Sequence, residues 1–458
     1  MAAHVAFKRG RFPRCENSAY IDFLFPPPPP YVSMMKSAKK SLLENSAVFF
    51  LLMIVYRLCL DYIYIHEISP VFSYAYLSYN PTTQSRIFSV FTFVVGTAAV
   101  CKYKNSEGIF IPQAMMLLYL ISFVPMTSFW WCKGQKIDFM LANLVLWLSL
   151  FLFTDKIKGI KLQKYFPHNE TAVKCIAIVM AFVIIYISAK YTNFRIQLSL
   201  NDVYDLRLEA RTFNMPIVLL YIWNASSNVL PLMIIYFFSK RYKLLPCILV
   251  FIVLLNFSIA GSKSALFKML ICVGVYLFGK REVSKYLPAI FVTFVLIVIV
   301  EFVANNSSML STMFVRRGLY IPNLLDELYY DYINSNASLL SSPQTELTFA
   351  IGDEYFNHQG MRCNNGLFSD AYVHFGWIGV VVYPLVYAFM FQTFEKSFVG
   401  NNKNLIFFSA LIIVTTLRSS LLTTSLLTHG LLILIFSMML MSQSRTFKTS
   451  HREYGLKA

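Results

Sequence analysis

The residues able to do chemistry in this chain fall in two polar stretches set among apolar ones. The first, KYTNFRIQLSLNDVYDLRLEARTF over 190–213, carries Arg207 and Arg211 at i,i+4. That spacing puts both guanidinia on one helical face and leaves Asp205 and Glu209 on another. Arginine grips phosphate through two parallel hydrogen bonds, so in one reading this face is an anion clamp. In the other it belongs to an interfacial amphipathic helix whose charges pair with one another or with lipid head groups. The second stretch opens at Arg316-Arg317-Gly318 and runs to Gly379. It supplies Asp326, Glu327, Tyr329, Tyr330, Asp331 and Tyr332, then Asp353, Glu354, Tyr355, His358 and Arg362, then Asn365, Asp370 and His374. Carboxylates mixed with rings suit a carbohydrate surface, where rings stack on sugar faces and carboxylates bond hydroxyls. Asp370 and His374 are again i,i+4. A carboxylate so placed orients or activates an imidazole, and a structural pair capping a helix has the same spacing. Gly376 and Gly379 follow and permit close helix packing.

Positioning those groups falls to membrane helices. The chain is 57% hydrophobic and 14% charged, against roughly 45–50% and 25% in soluble domains. Apolar runs such as 87–101, 172–189, 244–260 and 286–303 approach the roughly 17–25 residues a spanning helix needs. They lack the period-2 alternation of a barrel. A formal net charge of +17 in a soluble protein would suggest nucleic acid. Here the lysines sit in short loops between apolar runs, so the charge reports topology and no nucleic-acid partner is implied. With Lys36, Lys39 and Lys40 inside, the other inside loops are Lys102/Lys104, Lys156 to Lys164, Lys240/Lys243, Lys280/Lys285, Lys396/Lys403 and Arg445/Lys448. The expectation is an all-α polytopic integral membrane protein of roughly twelve spans with both ends inside. Both arginine stretches then face outward, the larger as a loop over 304–366 between the ninth and tenth spans. The stretch 404–441 reads as one long helix or as two short ones broken near Arg418.

Smaller features complete the plan. Residues 1–33 are basic and carry five prolines at Pro26 to Pro30; the expectation is a disordered tail or an upstream start with Met34 or Met35 opening the functional chain, and the alternative is a proline-rich ligand for a partner. The membrane domain covers 34–445, followed by an inside tail over 446–458. The first span, about 46–65, carries Arg57 and Asp61 at i,i+4, a structural pair or a functional one. The loop from His66 to Arg86 adds Tyr74, Tyr76 and Tyr79, which form an aromatic belt or stack on sugars. Pro112 and Pro125 are expected as kinks. Gly261-Ser262-Lys263-Ser264 lacks the first glycine of a phosphate loop and follows no strand, so it marks no nucleotide site. The eight cysteines form no CxxC and no Cys/His cluster at zinc spacing, which implies neither a metal site nor a disulfide framework. Cys132 and Cys363 fall on the outer side, and unpaired thiols are expected there.

The segment IGDEYF followed by NNGLFSDAYVHFGWIG resembles the signature of the O-antigen polymerases, the oligosaccharide repeat-unit polymerases. Supporting pieces are LDYIYIHEISPVFSY (60–74), GSKSALF (261–267), RRGLYIP (316–322) and LLTTSLLTHGLL (421–432), in order across about 34–441. The resemblance implies a GT-C-like glycosyltransferase of the bacterial inner membrane, working without metal or other cofactor on the periplasmic side. It would move a growing glycan from undecaprenyl pyrophosphate to a lipid-linked repeat unit. Its partners would be that lipid-linked oligosaccharide, membrane lipids, and the flippase and chain-length regulator of the same pathway. Arg207, Arg211, Arg316 and Arg317, with Asn365 and Tyr355, would hold pyrophosphate and substrate. Asp370, Glu354, Asp353, His374 and His358 are the candidates for the base on the acceptor hydroxyl. The spaced arginine-to-glycine pattern of some family members is not found after those four arginines. The related O-antigen ligase and a flippase for the same lipid are the alternatives. Asn364-Asn365-Gly366 stands where ligases typically carry a His-Asn pair, and the absence of a repeat between halves speaks against a transporter.

Overall fold

A computed structural model describes residues 45–104, 106, 108–198, 203–261, 263–277, 283–336 and 344–442. The tails over 1–33 and 446–458, Lys36 to Lys40, Ser262 and the side chain of Lys263 lie outside the described residues. The described chain is all-helical. Eight helices are long and apolar enough to cross a membrane: α1 (Ser46–Ala75), α2 (Thr83–Lys104), α3 (Ile111–Lys133), α4 (Ile137–Lys156), α5 (Glu170–Thr192), α7 (Ile217–Ser239), α10 (Leu287–Asn305) and α13 (Phe368–Ser397). A short α6 (Val203–Arg211) precedes α7. Shorter members are α8 (Leu244–Ala260), α9 (Lys263–Leu277) and α14 (Lys403–Ser419). α11 (Ile321–Ser335) and α12 (Gln344–Phe356) fold inside the large loop, and α15 (Leu422–Leu426) and α16 (Leu431–Met441) close the chain. The stretch beyond Asn404 is therefore two helices, α14 and α16, with α15 between them. The class is that of a multi-pass membrane protein.

Hydrogen bonds sort the helix ends into two groups. At the lysine-rich end Lys104 Nζ donates to Asn45 O at 2.9 Å and Lys396 Nζ to Gly159 O at 2.8 Å. The N-terminus of α3 is closed there by Glu395 of α13, whose carboxylate accepts from the N–H of Ile109, Phe110 and Ile111 at 2.6, 2.8 and 2.8 Å. A carboxylate on those orphan donors is favoured by the helix dipole. Pro112 stands at this first turn, where a missing N–H costs nothing. It starts a helix and does not kink one, contrary to the sequence expectation.

Three π-helical segments interrupt the helices away from that end: Tyr64–Ile68 in α1, Tyr119–Phe123 midway along α3, and Ser311–Tyr320 leading into α11. Each is followed by a proline in the next turn, Pro70, Pro125 and Pro322. A proline ring collides with the carbonyl four residues earlier, and widening the preceding turn to i→i+5 relieves that collision while the helix continues. This is why α1 runs on past residue 65 to Ala75, where the sequence suggested a loop. The three wide segments meet around Tyr320. Its hydroxyl donates to Leu60 O at 2.9 Å and lies 2.8 Å from Ser128 Oγ, and Ser128 donates to Asp61 at 2.5 Å. Arg57 closes this buried network, with Nε 3.9 Å from Asp61 and its guanidinium 5.0 Å from the Phe93 ring.

The large loop is mostly core. Helical periodicity in α11 buries Leu324, Leu325, Leu328, Tyr329 and Ile333, so the expected sugar surface on Tyr329 and Tyr330 does not form. Their hydroxyls donate inward, Tyr329 to Cys363 O and Tyr330 to Asp138, each at 2.8 Å. Glu327 pairs with Lys133, and Asp331 with Lys136 at 2.8 Å. Those acids fasten α11 to the α3–α4 turn.

Candidate functional site

Arg418 shows how the proline pattern shapes this end of the molecule. Pro322 has no N–H to give Gly318 O, the carbonyl four residues back. Arg418 of α14 donates to Gly318 O and, at 2.9 Å, to Leu319 O. A guanidinium fork matches two adjacent acceptors, and the arginine is buried, with 7% of its surface exposed. One turn beyond Pro322, Asp326 Oδ1 accepts from Asn365 Nδ2 at 2.9 Å and from Ser369 N and Oγ at 3.1 and 2.6 Å. Burial pushes the Asp326 carboxyl up to about 7, against the opposing pull of the Ser369 hydrogen bonds and of Arg418. A small cavity of about 20 Å³ opens beside these groups.

The turn into α13 is pressed against α14 and the segment after it. Gly366 N donates to Arg418 O at 3.0 Å, and a Cβ on Gly366 would collide with the carbonyls of Leu417 and Ser420. Asp370 and His374 meet as their spacing implied, with His374 Nδ1 3.1 Å from Asp370 Oδ1. Asp370 is 1% exposed. Its Oδ2 accepts from Leu422 N at 2.7 Å and its Oδ1 from the Tyr383 hydroxyl at 3.3 Å. This pair ties the start of α13 to α15. Gly376, expected to pack against a neighbouring helix, instead breaks α13 with φ 53° and ψ −132°, a conformation that glycine adopts without steric cost. Beyond that break, a Cβ on Gly379 would strike Ala371 O.

The remaining candidates sit nearer the surface. Arg316 lies over the Phe72 ring, 4.0 Å from its centroid, and Arg317 is exposed. Tyr76 packs on Tyr355 at 5.8 Å and on Phe356 at 6.1 Å, and Tyr355 on Tyr332 at 6.5 Å. Burial, with Glu354 beside it, pushes the Tyr355 hydroxyl up to about 12. Asp353, Glu354 and His358 are exposed on and after α12. The end of α1, the Arg316 turn and α12 thus form one aromatic rim carrying Arg316, Asp353 and Glu354. Asn365 is not on that rim. It is 2% exposed and its amide serves Asp326, Ser369 and Pro322 O.

Arg207 and Arg211 are exposed on α6, and Arg207 Nε donates to Gly261 O at 3.2 Å. Glu209 is held by Arg195, at 2.6 and 3.3 Å, so this acid of α6 pairs outside its own helix. Two residues past Gly261 α9 begins, and its Phe267 meets Phe314 at 4.9 Å. Arg207 and Arg316 therefore stand at the same end of the bundle, linked through the start of α9. Cys132 and Cys363 are buried free thiols.

Asp326 and Arg418 were not among the site residues that the sequence suggested. The available signal was an arginine inside an otherwise apolar helix, because ionisable groups in membrane helices are costly and usually functional. No family model, curated protein or solved structure matches the chain.

Proposed function

We propose that this protein is an O-antigen or polysaccharide repeat-unit polymerase of the bacterial inner membrane. It transfers a growing glycan from undecaprenyl pyrophosphate to a lipid-linked repeat unit on the periplasmic face. Eight helices are long enough to cross a membrane, and adding the shorter α8, α9, α14 and α16 makes twelve, the number expected of that family. The observation that carries the reading is the aromatic rim, where exposed carboxylates, tyrosines packed edge to face and an arginine share one end of a membrane bundle. Rings there present faces to sugar rings. In the reaction a carboxylate of Glu354 or Asp353 takes the proton of the acceptor hydroxyl. The hydroxyl oxygen forms the new bond to the anomeric carbon as the bond from that carbon to the lipid pyrophosphate breaks. Arg316, Arg317, Arg207 and Arg211 meet the negative charge developing on pyrophosphate without a metal. The buried Asp370, paired with the partly exposed His374, positions the α13 turn.

The deciding experiment is the lipopolysaccharide ladder of a deletion strain. Single repeat units on the core, restored to a full ladder by the wild-type chain, support the polymerase. Core without any repeat unit assigns the protein to ligation or flipping and overturns the reading.

A further inference from the structure

Lys268 is a half-buried cation that the candidate site leaves unused. It lies on α9, and its ammonium donates to Asn228 Oδ1. Among the described residues no carboxylate pairs with it, and two of its three hydrogens have no acceptor. Asn228 is the twelfth of the 23 residues of α7, so the charge is held near the middle of a spanning helix. Asn228 Nδ2 donates to His429 O at 2.8 Å, which brings the turn between α15 and α16 to the same depth. The length of α16 agrees. Its eleven residues start from the lysine-rich end, where Gln163 Nε2 donates to Ser442 O at 3.1 Å. They rise about 16 Å, half of a hydrocarbon layer about 30 Å thick.

His429 is half-exposed, and its Nε2 is 3.0 Å from the buried Ser420 Oγ. With Ser420 donating to Nε2, the proton of the neutral ring sits on Nδ1, which has no partner among the described residues. Lys268 is close enough to act on this imidazole electrostatically. An ammonium at such depth is costly in lipid and faces a bundle interior or a polar cavity. Helical side chains lean toward the N-terminus of their helix, so Lys268 leans toward the end that carries Arg207 and Arg316. Its helix is tied to both. Arg207 binds Gly261 O, two residues before α9, and Phe267 packs on Phe314, two residues before Arg316.

We propose that Lys268 and His429, the latter positioned by Ser420, form an anion site for the diphosphate of a lipid carrier. An ammonium meets phosphate as a point charge, and the imidazole N–H adds a directional donor. The proposal rests on the polymerase reading, in which donor and acceptor are both lipid-linked and two diphosphates are held at once. The rim arginines hold one of them and Lys268 the other.

The test uses purified full-length protein in detergent with Arg207, Arg211, Arg316 and Arg317 replaced by alanine, which removes the grip of the rim on phosphate. Farnesyl diphosphate is expected to raise its thermal unfolding midpoint saturably, and farnesol to leave it unchanged. Adding Lys268→Met is expected to raise the half-saturating concentration at least about tenfold, whereas Lys268→Arg keeps the response. His429→Gln, a milder change, is expected to weaken it about threefold. No response in the arginine-free rim variant, or a response that survives Lys268→Met undiminished, would overturn the proposal. Inorganic pyrophosphate saturating as tightly as farnesyl diphosphate would assign the site to free phosphate and overturn the lipid assignment. Binding and the lipopolysaccharide ladder are separate readouts, so either result can fail while the other stands.

Discussion

Arg316 and Glu354 flank the same rim yet are asked to do opposite electrostatic work, and substitution separates their roles. Arg316→Ala is expected to abolish long-chain glycan while single repeat units remain on the core at normal protein level, and a full-length ladder would remove the clamp. Arg316→Lys should restore little, because an ammonium lacks the two-pronged geometry. Glu354→Gln should lower polymerisation about 10²-fold or more if Glu354 is the base, measured as turnover of lipid-linked donor in membranes. Wild-type turnover would pass the role to Asp353. A further residue-scale effect lies at His429, whose Nε2 is 3.0 Å from Ser420 Oγ. Burial, then the nearby Lys268, lower its pKa. A folded-state value below the unfolded value of about 6.5 means that protonation favours unfolding. The stability His429 contributes is present above that value and is lost as pH falls through it. Melting curves between pH 5 and 8 (about the range where histidine titrates) should show the wild type losing stability on the acid side and His429→Gln losing less.

At the scale of elements, the π-helical turns and the residues that serve them set the geometry. Arg418→Met takes the guanidinium donor from Gly318 O, while Leu319 O keeps the Asn323 amide. An unsatisfied buried acceptor costs about 1–3 kcal/mol, so the variant should unfold at visibly lower temperature by circular dichroism in detergent. An unchanged midpoint would mean that water replaces the guanidinium. Gly379→Ala should also destabilise, since its Cβ would meet Ala371 O with no flexible side chain to yield. The sequence marked Gly376 and Gly379 as special but assigned them to contacts between helices. The actual constraint is a backbone break inside α13, which depends on φ and ψ values that a residue list does not carry.

For the whole molecule, the two ends are distinguished by charge. Tyr79 and Lys158 are exposed at opposite ends. In a background with the exposed Cys175 and Cys247 replaced by serine, Tyr79→Cys should react with a membrane-impermeant thiol reagent added to spheroplasts, and Lys158→Cys should react only after the membrane is opened. The reverse pattern would invert the topology and put the aromatic rim in the cytoplasm.

The sequence alone determined the all-helical, multi-pass class, because apolar run length and lysine placement are properties of the chain that need no partner. It also determined the Arg57–Asp61 and Asp370–His374 pairs, because i,i+4 spacing on a helix is a local geometric fact. Periodicity could not tell that Tyr329 and Tyr330 point inward, since a loop helix that folds back into the bundle has the composition of an exposed one. Tertiary structure alone decided that Pro322 orphans a carbonyl which Arg418, 96 positions further along, supplies with a donor. It alone brought the end of α1, the Arg316 turn and α12 into one rim. It alone brought Asn228, Lys268, Ser420 and His429 together at one depth. Those residues lie on separate elements, and contacts of that sequence separation depend on how the helices pack.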